Sequence, residues 1–597
     1  MALNLLVLTQ SSFGVCRPRQ KFPHIIKRNS REKNFITCIS KTEASQTDSC
    51  LEIYQPTSWS HNFIEVLDAS IPINLKRKVL ELEKKQRTCI VHDENSSLTT
   101  LQVLENIDNI ERLGLGYRYQ NDIRKALDKI TSINGTNVGI EDSLHAASLG
   151  FRILRQHGYD VSQDFVSRFK DSHGDFMGCL QTDIKGLLSL YEASYLAFES
   201  ESDLHQAKLF ATTHLIKLKD KEKQTLDNIS HALELPLYRR MLRLQARWYI
   251  EAYGKRKDAN PLMLELASLD FNMVQLEHIK ELQEVSGWWE NIGLANNLSF
   301  VRDRLMECFF WAVGMVFEPQ YHACRVGLTK IGTLITVIDD IYDVYGSLDE
   351  LKIFTEAVKR WDLNAITHMP LYLQIGFRAL YNTITEIGSS TSIVQVDITS
   401  VLVKVWGELL EAFLVEAKWA HDKYIPAVDE YLDNGWRSVS GVLLLTHGYF
   451  LINYDKQTDV VESLEKYHDL MKWSSVVFRL CNDLGTSSDE IERGKTANVL
   501  SCYMHENGVC EEIARKKIES LIDEAWRNLT KAQVVLSKDS ADHPLVNMAI
   551  NLARVSHCTY QYGDGHGAPD AKAKDRVSAV IIEPITTRQT EPQYTLT

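Results

Sequence analysis

Residues 327–343 read Gly-Leu-Thr-Lys-Ile-Gly-Thr-Leu-Ile-Thr-Val-Ile-Asp-Asp-Ile-Tyr-Asp. The run is apolar except for Lys330 and three threonines until it meets Asp339, Asp340 and Asp343. Apolar residues at three- and four-residue spacing predict a buried helix. At about 100° per residue, Asp339 and Asp343 fall about 40° apart and one turn distant, with Asp340 at the edge of their face. Carboxylates at a helix C-terminal end oppose the macrodipole. Beside a buried run they are costly unless a cation joins them, and a hard divalent cation suits oxygen ligands.

A second oxygen-rich stretch follows about 140 residues later, at Asn482-Asp483-Leu484-Gly485-Thr486 through Glu490. Asn482, Thr486 and Glu490 stand at i, i+4 and i+8, so their oxygens share one helical stripe, with Asp483 on its margin. Amide, hydroxyl and carboxylate oxygens suit Mg²⁺ or Mn²⁺. Polar residues at this spacing also form solvated faces, so the two clusters carry weight only as a pair. Each follows an apolar run, which places them on opposite walls of one cavity. Arg302 and Arg304 precede the first cluster, Arg479 precedes the second, and Arg493 and Lys495 follow it. Carboxylates with arginines point to a polyphosphate held between metal ions and guanidinium groups. Phe309, Phe310, Trp311, Tyr342, Phe478 and Tyr560 are candidates for an apolar wall, although each also fits core packing.

The rest of the chain keeps the helical period. Phe63, Val66 and Leu67, then Leu75, Val79 and Leu82, open a series of amphipathic stretches separated by turns such as Asn134-Gly135 and Glu318-Pro319. No block of short alternating strands appears, so the fold class is all-α. The charged, turn-prone stretch from Lys255 to Pro261 divides two large helical domains, 51–258 and 259–597.

Composition narrows the function classes. With 66 Lys+Arg against 79 Asp+Glu the net charge is −13, which argues against a nucleic-acid binder. No run of 18 apolar residues occurs, so no membrane span is expected. The 11 Cys include no CxxC pair and read as reduced thiols. From Met1 to Arg31 there is no acid but six basic residues. That is the pattern of an organelle transit peptide, assigned to 1–50.

In these motifs the chain resembles the plant class I terpene synthases. Asp339–Asp343 match DDxxD, Asn482, Thr486 and Glu490 match the NSE/DTE-type motif, and Arg302–Arg304 match the Arg-x-Arg element. Tyr54 to Trp59, Leu187 to Ser194 and Tyr560 to Gly565 resemble further family segments, so the likeness runs from about Leu51 to Pro584. The segments Arg118–Asp128 and His557–Gly567 are most similar to the isoprene, β-ocimene and α-farnesene group. The resemblance implies an N-terminal helical relic domain and a C-terminal catalytic α-bundle. It implies three Mg²⁺ ions, or Mn²⁺, on Asp339, Asp340, Asp343, Asn482, Asp483, Thr486 and Glu490. It implies diphosphate contacts from Arg302, Arg304, Arg479 and Lys495. Catalytic roles fall on Asp339, Asp343, Arg302 and Tyr560, and a substrate pocket on Trp311, Gly332, Tyr342 and Phe478. The implied enzyme is a monomeric carbon–oxygen lyase in the plastid, acting on a prenyl diphosphate.

Three departures shape the expected product. Ser49 and Cys50 stand where many monoterpene cyclases carry an Arg-Arg pair, which favours an acyclic product. Asn498 replaces a common Lys. Gly332 stands where isoprene synthases carry Phe, which deepens the pocket. The expectation is an acyclic monoterpene (β-ocimene, myrcene or linalool) from geranyl diphosphate. The alternative is a sesquiterpene, farnesene or nerolidol, from farnesyl diphosphate. A chain-elongating prenyltransferase is the remote alternative.

Overall fold

The computed structural model describes residues 55–586, except 88–97, 135–142, 220–225, 391–397, 453–463, 493–496 and 541–542. The transit-like segment, Ser49, Cys50, Tyr54, Arg493 and Lys495 lie outside the described residues. Among the described residues the chain is helical, with no strand beyond an isolated bridge between Lys170 and Phe176. No described helix is long and apolar enough to cross a membrane. The seven described cysteines are free.

The N-terminal half contains α1 (Thr100–Arg112), α2 (Leu144–Gln156), α3 (Ile184–Ser194), α4 (Ser202–Lys219) and α5 (Leu242–Gly254). Their starts follow from capping chemistry. Thr99 and Gln102 form a reciprocal capping box on α1, and the side chains of Ser143 and Asp183 accept from backbone N–H groups of α2 and α3. The turn after α5 leads into α6 (Pro261–Ile292), which Asn260 caps with Pro261 in the first turn. The described residues fall within one compact unit. Polar clasps join the two halves: Lys208 and Arg239 each lie 2.7 Å from Asp523, and Tyr238 Oη donates to Gln533 Oε1 at 2.8 Å.

The C-terminal half stacks α7 (Leu305–Met315), α8 (His322–Asp340), α9 (Leu348–Arg360), α10 (Ile398–Asp422), α11 (Val428–Ser438), α12 (Gly441–Ile452), α13 (His468–Glu492), α14 (Glu511–Ser540) and α15 (Pro544–Tyr560). The 327–338 run lies within α8 as the periodicity predicts, but the helix does not stay α-helical through the acids. Residues Ile341–Tyr345 form a π turn, closed by Gly346 N donating to Ile341 O at 2.8 Å. Such single wide turns often mark functional sites. Asp339 therefore lies in the last turn of α8 and Asp343 on the wider turn, yet both still face the same space.

Candidate active site

One cavity of about 880 Å³ opens between α7, α8, α10, α11, α13 and α15. Helical spacing explains its lining. Leu328, Gly332, Ile335, Asp339 and Asp343 form one stripe along α8 and its π turn, and Cys308, Trp311 and Met315 form a stripe on α7. Phe478, Asn482 and Thr486 do the same on α13. The two motifs thus share a cavity, as their paired reading requires. Glu490 lies on α13 one turn beyond Thr486.

The acidic end is organised by arginines. Arg302 Nη2 lies 2.5 Å from Asp339 Oδ2 and its Nε 2.7 Å from Asp340 Oδ1, while its backbone N donates to Asp340 Oδ2 at 2.8 Å. Across the cavity Arg479 Nη1 lies 3.2 Å from Asp483 Oδ1 and donates to Tyr431 Oη at 3.1 Å. The carboxylates lining the cavity are Asp339, Asp343, Asp349, Glu416 and Asp564, and the cationic residues are Arg302, Lys352 and Arg479. Five acids against three cations leave a deficit of positive charge. A bound diphosphate would enlarge it, so divalent cations fit the donor set. Of the expected ligands, Asp339, Asp343, Asn482 and Thr486 line the cavity and could hold them.

Three expected ligands turn away. Asp340 is fully buried outside the cavity lining, and its two oxygens are taken by Arg302. Burial, with Asp339 and Asp343 close by, pushes it up to about 7 against the pull of Arg302. Asp483 is 1 % exposed, pairs with Arg479 and accepts from Val499 N at 2.8 Å. It anchors the helix Val499–Asn507, which Asn498 also caps, its side chain accepting from Ser501 N. Arg304 is 2 % exposed and, among the described residues, donates to backbone carbonyls: Gly567 O and Gln55 O at 3.0 Å and Asp303 O at 2.7 Å. The three residues expected as metal or diphosphate contacts thus stand behind the cavity wall in this structure, with Asp340 and Asp483 paired to arginines and Arg304 to carbonyls. These groups brace the site from behind.

The other end is apolar. Trp311, Phe478 and Tyr560 form a cluster with ring centroids 4.7–6.3 Å apart, and Gly332 lines the same cavity from α8. A Cβ added at Gly332 would meet Cys308 at 3.5 Å, ordinary contact, so the glycine leaves room. Gly485 has the opposite constraint. A Cβ there would lie 2.9 Å from Tyr560 Cβ and 3.0 Å from its carbonyl oxygen, so the glycine lets the end of α15 close on the second motif. Burial, and then Asp564, pushes the Tyr560 phenol above its ordinary value, against a hydrogen bond with Asn482. Tyr342 lines the wall with its hydroxyl 2.7 Å from Thr355 Oγ1. Phe309 and Phe310 are buried outside the lining and serve the core.

Sequence reasoning missed several lining residues. Phe413, packed 5.5 Å from Tyr342, and Glu416 come from α10, which carries no motif. Burial pushes Glu416 up to about 7, and it accepts from Ser438 and Asn434. His566 belongs to the loop after α15, its Nε2 3.2 Å from Thr336 Oγ1, and burial with Arg302 nearby brings it down to about 4. The Gly-rich stretch around it was the available signal.

Comparison with known proteins agrees with this geometry. Residues 290–528 match the terpene synthase family metal-binding domain and 58–233 the terpene synthase N-terminal domain. The chain is 55 % identical to the chloroplastic (E)-β-ocimene synthase of Matricaria chamomilla var. recutita, over 97 % of this chain and 98 % of that one. Grey poplar isoprene synthase, solved with three Mg²⁺ ions and dimethylallyl-S-thiolodiphosphate, is 48 % identical with a TM-score of 0.80. That match covers 89 % of this chain and 99 % of the other. A limonene synthase with 2-fluorolinalyl diphosphate gives 37 % identity and a TM-score of 0.85 over the same shares. The chain belongs to the plant terpene synthase family, lyases that use divalent metal and act on prenyl diphosphates, and it has that family's all-α class I fold with an N-terminal helical domain.

Proposed function

We propose that the protein ionises geranyl diphosphate with Mg²⁺ and releases an acyclic monoterpene of the β-ocimene, myrcene or linalool type. One observation carries the reading: a single cavity has an acid- and arginine-lined end and an aromatic end. In this reading Asp339, Asp343, Asn482, Thr486 and Glu490 hold three Mg²⁺ ions, with Mn²⁺ as a substitute. When bound, these ions supply Lewis-acid charge that stabilises the departing diphosphate. Arg302 and Arg479 donate hydrogen bonds to its oxygens, with Lys495 a further contact, and favour the charge that builds as the C–O bond breaks. The faces of Trp311, Phe478 and Tyr560 stabilise the allyl cation left behind, and the apolar walls keep water from it. Residues 51–258 serve as the relic helical domain and 259–597 as the catalytic domain. The chain acts as a monomer. The acid-free N-terminal segment and the chloroplastic name of the chamomile relative support delivery to the plastid.

The test supplies dimethylallyl, geranyl and farnesyl diphosphates separately with Mg²⁺ and identifies products by gas chromatography. Acyclic C10 products from geranyl diphosphate are expected. Turnover of farnesyl but not geranyl diphosphate would replace the reading by a sesquiterpene synthase. Elongation with isopentenyl diphosphate would make it a transferase.

A further inference from the structure

Arg302 and Arg304 are two residues apart and act on different parts of the molecule. Arg302 reaches the acids of α8. Arg304, at backbone φ −129° and ψ 32°, reaches the opposite way. Its Nη2 donates to Gln55 O and to Gly567 O, both at 3.0 Å, and Nε donates to Gly567 O at 3.3 Å. Its Nη1 donates to Asp303 O at 2.7 Å. Among the described residues no carboxylate forms an ion pair with it. Asp303 and Glu307 lie near enough to feel its charge, but these carbonyls supply its hydrogen bonds, so the bonds are costly to lose.

The two remote carbonyls belong to segments far apart in sequence. Gln55 lies shortly before the short helix His61–Glu65, and Gly567 ends a loop that itself lines the cavity. That loop has its own lock, because His566 N and Gly567 N donate to Asp564 Oδ1 at 3.1 and 2.7 Å. Beside it stands Arg302, 3.1 Å from where a Gly567 Cβ would be. One arginine thus ties the N-terminal approach and the C-terminal loop to the stretch that carries the acid-binding arginine.

We infer that Arg304 is a positioning residue that laces residue 55 and the 564–567 loop over the cavity and so keeps water from the cationic intermediate. It is not a diphosphate ligand. The consequence for chemistry rests on the prenyl diphosphate reading above, whereas the lacing does not. When the lace opens, water adds its oxygen to the allyl cation and loses a proton, giving an alcohol in place of the olefin formed by proton loss from carbon.

The test compares wild type with Arg304→Gln, Arg304→Lys and Arg302→Gln in the full chain. Without substrate, hydrogen exchange in R304Q is expected to rise at the amides of Thr57–Trp59 and His566–Gly567 and to stay unchanged on α8. With geranyl diphosphate, the ratio of alcohol to olefin is expected to rise about threefold or more. Inhibition by inorganic pyrophosphate with Mg²⁺ is expected to shift less than about twofold in R304Q and much more in R302Q. R304K, which can reach one carbonyl at a time, should fall between wild type and R304Q. Unchanged exchange in both segments would overturn the lacing. A loss of pyrophosphate inhibition equal to that of R302Q would return Arg304 to the diphosphate. If wild type turned over no prenyl diphosphate, the functional reading would fail while the exchange data still judged the lace.

Discussion

Two cavities among the described residues are built from the same material but differ in their charge pattern. The cavity in the C-terminal half has five lining acids for three cationic residues. The second, of about 610 Å³ in the N-terminal half, has Glu105, Asp108, Glu192 and Asp258 against Arg112, Arg152, Lys185, Arg240 and Arg256. There every lining cation already has a carboxylate partner, Arg240 through Glu234 outside the lining. Arg152 and Arg112 pair with Asp108, Lys185 lies 2.6 Å from Glu105, and Arg256 lies 2.6 Å from Asp258. A cavity whose charges are spent internally has little left for a polyphosphate. One with surplus carboxylate facing an aromatic wall calls for metal ions and an anionic ligand. Charge pattern, more than volume, separates the two.

The sharpest way to break this contrast is to remove the surplus. Chelating divalent ions is expected to abolish turnover, with Mg²⁺ restoring it. Asp339→Asn and Asp343→Asn should each lower kcat/KM by about 10²–10³-fold and raise the Mg²⁺ concentration needed for half-maximal rate. Normal kinetics in both variants would place the metal elsewhere. The aromatic end is tested next. Gly332→Phe would fill the space between α8 and Cys308, and should cut turnover of geranyl diphosphate by about 10–100-fold while sparing the shorter dimethylallyl substrate. An unchanged preference between C10 and C5 substrates would mean that the substrate tail does not reach this wall.

A subtler comparison lies within the first motif. Asp339 and Asp340 are neighbours, but one faces the cavity and the other grips Arg302 from behind. Asp340→Asn should lower turnover only about tenfold and reduce unfolding free energy by about 1–3 kcal/mol, leaving the Mg²⁺ dependence near normal. A shift in Mg²⁺ dependence as large as that of Asp339→Asn would make Asp340 a ligand after all.

These contrasts mark where the sequence stops being legible. Helix periodicity placed the Asp339–Asp343 and Asn482–Thr486 pairs on a common cavity, and the first survived the π turn because the wide turn still brings Asp343 round to the same side. Neighbours one residue off a stripe were not separable: Asp340 and Asp483 have the right chemistry, and only the packing of Arg302, Arg479 and Val499 turns them inward. Arg304 was unreadable for a different reason. The stretch before α7 is irregular, so no period relates its direction to that of Arg302. Phe413 and Glu416 sit on a long helix with no motif, and their role depends on which face α10 turns to the bundle.

The N-terminal cavity offers the converse test, with the smallest expected effect on chemistry. Burial pushes Glu192 up to about 7, although Arg152, Arg112 and Arg240 lie close and Leu237 N donates to it at 2.7 Å. Its folded value is therefore above the unfolded value near 4.5. Between those values the folded state holds more protons than the unfolded state, so this group's contribution to stability falls as pH rises through the window from about 4.5 to 7. Glu192→Gln cannot ionise and loses that dependence. Relative to wild type, its Tm should be more favourable at pH 8 than at pH 5, while turnover with geranyl diphosphate stays within about twofold. A tenfold loss of turnover in Glu192→Gln would give the N-terminal cavity a part in the chemistry. The two regions could then no longer be separated by charge pattern alone.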